Sequence, residues 1–190
     1  MNELNLIIID NFLLPHECDY LINEKKDFIE RSSVVCTDTH KSVESNHRTS
    51  SGCFFKKDEN QLITYISHRL ACMTRTNVSQ QEGFQFLKYG YKEEYTPHHD
   101  FFQPDAVDHL SRGGQRLKTA LIYLNDVELG GETYLPHFNK LIQAKKGRLV
   151  LWNNLDSSGN PNDQTLHSGM PVLKGFKYCV PVWIRQSDFI

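Results

Sequence analysis

The 190-residue sequence is short of several features that would assign it at once. Its five cysteines (Cys18, Cys36, Cys53, Cys72, Cys179) are odd in number, widely separated and free of any Cys-x-x-Cys pair. That excludes a disulfide framework and a zinc knuckle. With a formal charge of -2 and no dense run of Lys and Arg, the chain has no electrostatic footprint for a phosphate backbone, so nucleic acid is excluded as the expected partner. No apolar run exceeds Ala120 to Leu124, far below the roughly 20 residues of a membrane-spanning helix, which excludes a membrane partner of that kind. The opening Met1-Asn2-Glu3 and the stretch Leu4 to Ile9, which reads as a strand, lack the basic leader and long apolar region of a secretory signal. A reducing cytoplasm is the location predicted. Internal repeats, low-complexity tracts and sharp composition breaks are also missing, so a single domain over 1–190 is expected. Its oligomeric state is left open.

What is present divides the chain into two styles. From Pro15 to about Ile29 and from about Asp58 to Met73, apolar residues recur at helical spacing, Leu62, Ile66, Leu70 and Met73 forming one stripe. After Gly83 the pattern changes to short β-branched and aromatic segments: Phe84 to Tyr89, Tyr95 to Asp100, Leu117 to Leu124, Glu132 to Leu135, Arg148 to Trp152, Thr165 to Ser168 and Phe176 to Ile184. Breaks such as Gly130-Gly131 and Lys146-Gly147 punctuate them. The expected fold is mainly β with supporting α-helices, a jelly roll or cupin-like double-stranded sheet, in which 1–83 supplies helical support and first strands and 84–190 the core.

The chemistry concentrates in Tyr95-Thr96-Pro97-His98-His99-Asp100-Phe101. In a strand, His98 and Asp100 share a face and His99 takes the other. With His167 as a third donor they would make a triad of two histidines and one carboxylate, which leaves open positions on a non-haem iron(II). By itself the His-x-Asp pair also fits a hydrogen-bonded surface contact. Lys177 adds a fixed cation at the start of the last strand, where alternation puts Lys177, Cys179, Pro181 and Trp183 on one face, with Pro181 bending the strand or marking an edge. A buried ammonium needs an anion, although a solvated strand-edge lysine is the alternative. Gly113-Gly114 is not a phosphate loop, since no Gly-Lys-Ser/Thr follows.

Tyr89, the Tyr95–Phe101 segment, Gly113-Gly114-Gln115-Arg116-Leu117-Lys118-Thr119, Gly130-Gly131-Glu132-Thr133, Lys145-Lys146-Gly147, His167-Ser168-Gly169 and Lys177 through Arg185 together resemble the prolyl 4-hydroxylase catalytic domain. Upstream, Arg48-Thr49-Ser50-Ser51 is similar to a segment of the same family. The resemblance implies a compact stand-alone iron(II)- and 2-oxoglutarate-dependent dioxygenase that hydroxylates a prolyl residue in a peptide or protein, using O2 and releasing succinate and CO2, with ascorbate as reductant. It further implies that His98, Asp100 and His167 hold iron, that Lys177 and Tyr89 bind the distal carboxylate of 2-oxoglutarate, and that Thr133 and Trp183 lie nearby. Arg116 and Tyr95 match positions that face the substrate groove. Two alternatives stand beside this reading: a hydroxylase of a free amino acid or small metabolite, and a non-catalytic or zinc/manganese cupin-like binding protein. The segments Val34 to Arg48 and Gln103 to Arg112 are long and polar, and are expected as lids.

Overall fold

The two helical patterns become helices α1 (Pro15–Lys25) and α2 (Gln61–Thr74) in the computed structural model, which describes residues 5–35, 42–44 and 47–190. Proline opens α1, and the Glu17 carboxylate accepts the Leu14 N–H at 2.7 Å. The helix stops at Lys25, short of Ile29, because the chain turns there to deliver Glu30–Arg31 as a strand. In α2 the Asn60 side chain caps Ile63 N–H at 2.9 Å, and Arg75 in the left-handed region ends the helix.

Seven antiparallel strands form the larger sheet, in the order Ile7–Ile9, Leu149–Asn153, Arg116–Tyr123, Lys177–Arg185, Phe84–Tyr89, Ser51–Phe55, Glu30–Arg31. A second sheet of four runs Lys140–Ile142, Thr133–Leu135, His167–Gly169, Tyr95–His98. On one face of the larger sheet, Phe84, Phe86, Ala120, Ile122, Leu149, Leu151, Val180 and Val182 bury against Cys18 and Leu21 of α1 and Ile63, Ile66 and Leu70 of α2. This is the jelly-roll layering expected, with the helices bracing the larger sheet. Its opposite face is turned toward the smaller sheet and carries a second cluster, including Leu87, Tyr89, Leu121, Tyr123, Val150 and Trp152.

Several local expectations need correction. The Tyr95 strand ends at His98, so Asp100 sits in the bend that follows rather than in the strand. Residues 163–165 form a 3-10 turn, and the strand beside them is His167–Gly169. Pro181 marks no edge: its strand lies between Arg116–Tyr123 and Phe84–Tyr89. Leu124 N–H donates to the Tyr178 carbonyl at 2.9 Å, and alternation from that pair leaves Pro181↔Leu121 without hydrogen bonds. The missing N–H therefore points toward Phe84–Tyr89, where the ladder stops at Cys179↔Leu87. Of the two expected lids, 34–48 falls partly outside the described residues. The other, 103–112, contains the short helix Val107–Leu110 and is tied down by Arg185, which donates to the His109 carbonyl.

Candidate active site

Strand register assembles the site. His167 pairs directly with His98 across the smaller sheet, so the two rings stand together, centroids 4.3 Å apart. Asp100 closes the group, its carboxylate 3.8 Å from His98 Nε2 and 3.6 Å from His167 Nε2. The three donor atoms lie within 4.8 Å of one another. Each imidazole gives its Nδ1–H to a backbone carbonyl two residues back, His98 to Thr96 at 2.8 Å and His167 to Thr165 at 2.9 Å. That fixes the tautomer and turns both Nε2 lone pairs toward Asp100. Trp152 meets His167 edge-on at 4.9 Å, and Tyr95 stacks on His98 at 3.5 Å.

Electrostatics favour a cation here. Burial, reinforced by the neighbouring His167, drives the His98 pKa well below that of a free imidazole. Burial alone would raise Asp100, yet the two imidazoles, Arg116 and the Thr119 hydroxyl hold it below the usual carboxylate range. Two nitrogen lone pairs and an ionised carboxylate, buried and convergent, suit a first-row divalent metal with positions left open, and ferrous iron fits this donor set.

The larger sheet supplies the wall opposite. Pairing places Trp152, Thr119 and Trp183 in one row across three strands, with Leu121 and Pro181 in the next, then Tyr123, Cys179 and Leu87, and finally Lys177 beside Tyr89. These rows and the smaller sheet line a cavity of about 50 Å³. Lys177 is 3% exposed within it. Its ammonium lies over the Tyr89 ring at 5.0 Å and the Tyr123 ring at 5.6 Å, and it forms no hydrogen bond or ion pair among the described residues. Burial pushes its pKa down. The Tyr89 phenol is pushed up to about 12 by the same burial and stays a donor. Thr133 Oγ1 lies 2.5 Å from the Tyr123 hydroxyl. Gly131, at φ +73, takes the chain past the lysine stem in the left-handed region, where a Cβ would press on Val127 and Val172, each 3.3 Å away.

A second, larger cleft of about 720 Å³ shares His98, Asp100, Tyr95, Arg48 and Trp183 with this cavity and extends past Phe101, Phe102, His109 and Arg112. Arg116 lines it, stacked 3.9 Å over Trp183 and paired through Nε and Nη2 with both Glu82 oxygens at 2.7 Å. Arg185 Nη1 reaches the same carboxylate at 2.8 Å. Glu82, which the sequence reading did not single out, thus neutralises part of the cleft wall. Despite burial, which raises it, the two guanidiniums hold the Glu82 carboxyl below its ordinary pKa. Its contribution to stability is therefore present above about pH 4.3 and lost as pH falls through the depressed value. Replacing Glu82 by glutamine is expected to cost about 3–5 kcal/mol in urea unfolding at pH 7, and the gap between variant and parent narrows below pH 4. An unchanged unfolding midpoint at pH 7 contradicts this.

His99 turns away from the triad as expected, although it lies past the end of the strand, its Nε2 at 3.1 Å from the Asp163 carbonyl. Phe84 and Phe86 belong to the helix-facing core, whereas Phe101 and Phe102 line the cleft. The sequence reading missed the buried Thr119, which donates to Asp100 Oδ2 at 2.6 Å, and Asn154 behind it. Alternation along Arg116–Tyr123 was the available signal for Thr119, since it shares a face with Leu121 and Tyr123.

Comparison with known proteins agrees with this geometry. The family described as the 2OG-Fe(II) oxygenase superfamily matches residues 84–185. The chain belongs to that superfamily, and is an iron(II)- and 2-oxoglutarate-dependent dioxygenase using O2. It is 34% identical over 201 residues to probable prolyl 4-hydroxylase 10 of Arabidopsis thaliana, covering 96% of this chain and 69% of the relative. Prolyl 4-hydroxylase 1 of the same plant is 36% identical over 197 residues, with 96% and 69% covered. Among solved structures, the viral collagen prolyl hydroxylase of Paramecium Bursaria Chlorella virus-1, in complex with 2OG, matches with a TM-score of 0.76 at 28% identity over 95% of each chain. Within the superfamily, this chain is a member of the prolyl 4-hydroxylase family. Membership sets aside the non-catalytic, cupin-like binding protein.

Proposed function

We propose that the enzyme hydroxylates a prolyl residue held in an extended peptide, with His98, Asp100 and His167 binding the iron and Lys177 and Tyr89 the far carboxylate of 2-oxoglutarate. Bound there, ferrous iron supplies the oxidising chemistry that couples decarboxylation of 2-oxoglutarate to substrate hydroxylation. The chain's own work is positioning. Lys177 provides the buried cation that a second carboxylate requires, and Tyr89, protonated and hydrogen-bonded to the Ser50 side chain, is to turn its hydroxyl to that carboxylate when it binds. Thr133 flanks that pocket.

The observation that carries the peptide reading is the large cleft running onto His98 and Asp100, more than ten times the volume of the inner cavity. Its walls are aromatic at Tyr95, Phe101, Phe102 and Trp183, and the Arg116 guanidinium is already committed to Glu82. A free amino acid would need its α-carboxylate neutralised inside a closed pocket, and Arg116, charge-paired, is poorly suited to that task. Tyr95, Trp183 and Arg116 are proposed to contact the peptide. Ascorbate as reductant and a reducing compartment complete the proposal, the latter supported by the free thiols of Cys18, Cys53, Cys72 and Cys179. Incubation with proline-rich peptides or with free proline, each with iron, ascorbate and 2-oxoglutarate, tests it by mass spectrometry. A gain of one oxygen on peptidyl proline is expected; oxygen on the free amino acid alone overturns the peptide assignment.

A further inference from the structure

Asp100 is the only anionic donor of the triad, and its orientation is controlled from behind. Thr119 Oγ1 lies 2.6 Å from Asp100 Oδ2, and Asn154 Nδ2 lies 2.9 Å from the same Thr119 oxygen. Both residues are buried, Asn154 completely. The proton order along this chain is dictated by chemistry. An ionised carboxylate only accepts, so the single Thr119 proton must point at Asp100, and the Asn154 amide must donate to the oxygen it leaves. Turning the Asn154 amide over would set an acceptor against Thr119 and compete for that proton. The Asn154 main chain is itself fixed, its backbone N–H donating to the Leu117 carbonyl at 2.8 Å and its backbone carbonyl accepting from Asn162 N–H at 3.0 Å, while the side-chain Oδ1 is buried with no hydrogen-bond partner among the described residues.

We propose that Asn154 and Thr119 form a positioning pair that locks the Asp100 carboxylate in its metal-binding orientation and thereby sets the affinity of the centre for its metal. The inference rests on the reading of His98, Asp100 and His167 as metal ligands. The bond occupies one lone pair of Oδ2 and restrains the torsion of a side chain that sits in a bend, outside the strand ladder. A carboxylate without that restraint must be ordered by the metal itself, which weakens binding.

The test is anaerobic Co(II) titration, read by the visible d–d spectrum and by calorimetry, independent of turnover. Thr119→Val is expected to weaken Co(II) binding about 10- to 100-fold and to alter the d–d bands. Thr119→Ser, which keeps the hydroxyl, is expected to stay within about threefold of the parent, and Asn154→Leu to fall between, because the Thr119 proton then loses its enforced direction. Thr119→Ala is a second hydroxyl-free variant should the valine protein fail to fold. Parent-like affinity in Thr119→Val or Thr119→Ala overturns the proposal and leaves the metal centre standing; so does an equal loss in Thr119→Ser, which would trace the effect to packing. Absence of Co(II) binding in the parent, or its persistence in His167→Ala, overturns the ligand reading along with it.

Discussion

Lys177→Met binds 2-oxoglutarate at least about 30-fold more weakly than the parent and unfolds at a higher temperature. The two effects share one cause. A buried ammonium with no ion pair among the described residues is a desolvated ion that the protein carries at a cost before co-substrate binds, and an apolar side chain of similar length removes that cost. A gain of about 1 kcal/mol corresponds to roughly 2–4 °C at this chain length. When the co-substrate arrives, the same ammonium becomes half of a buried charge pair, and its loss costs about 2–5 kcal/mol, between roughly 30-fold and several thousand-fold in affinity. Metal affinity should be unaffected, because the ammonium makes no contact with the triad. Burial pushes the Lys177 pKa down and an arriving carboxylate opposes that shift, so the linkage has the sign of proton uptake, with affinity falling as pH rises through the lysine's titration. Calorimetry in buffers of different ionisation enthalpy measures that uptake. A Lys177→Met protein with parental affinity for 2-oxoglutarate would remove the lysine from the pocket.

Much of this arrangement can be read in the sequence because it depends on alternation within strands. The period of two along the last strand puts Lys177, Cys179, Pro181 and Trp183 on one face, and all four line the inner cavity. The convergence of His98 and Asp100 was right for a partly wrong reason, since Asp100 lies beyond the strand and is aimed by Thr119 instead of by backbone pleat. Features set by long-range pairing were not legible. The strand Ser51–Phe55 lies between Phe84–Tyr89 and Glu30–Arg31 in the larger sheet, and its sequence, Ser-Gly-Cys-Phe-Phe, has no clear alternation. Glu82 sits next to Gly83 in what reads as a turn, and nothing local predicts that Arg116 and Arg185 will close on it from two other strands. Pro181 misled because strand centrality was inferred from composition, whereas one interrupted ladder accommodates the missing donor.

Replacing His167 by alanine is expected to abolish stoichiometric metal binding and lower succinate formation by at least about 10³-fold, the equivalent of ~4 kcal/mol of barrier. The effect is large because His167 is one of the two imidazole donors of the triad. Its ring is held by the Thr165 carbonyl, by Trp152 edge-on and by direct pairing with His98 across the sheet. Removing it leaves one imidazole and one carboxylate, a pair that water must complete and that holds a divalent ion weakly. The vacated space, bounded by the Trp152 ring, is the size of the ring that left, so imidazole added to the buffer should restore part of the metal binding. Exposed His137, whose ring meets that of the neighbouring Phe138 edge-on, provides the contrast: His137→Ala retains one metal per chain. Metal content after dialysis, together with succinate release, separates the outcomes. A His167→Ala protein that keeps its metal and its turnover would mean that the third donor comes from elsewhere, and the triad built by the His98–His167 register would have to be abandoned.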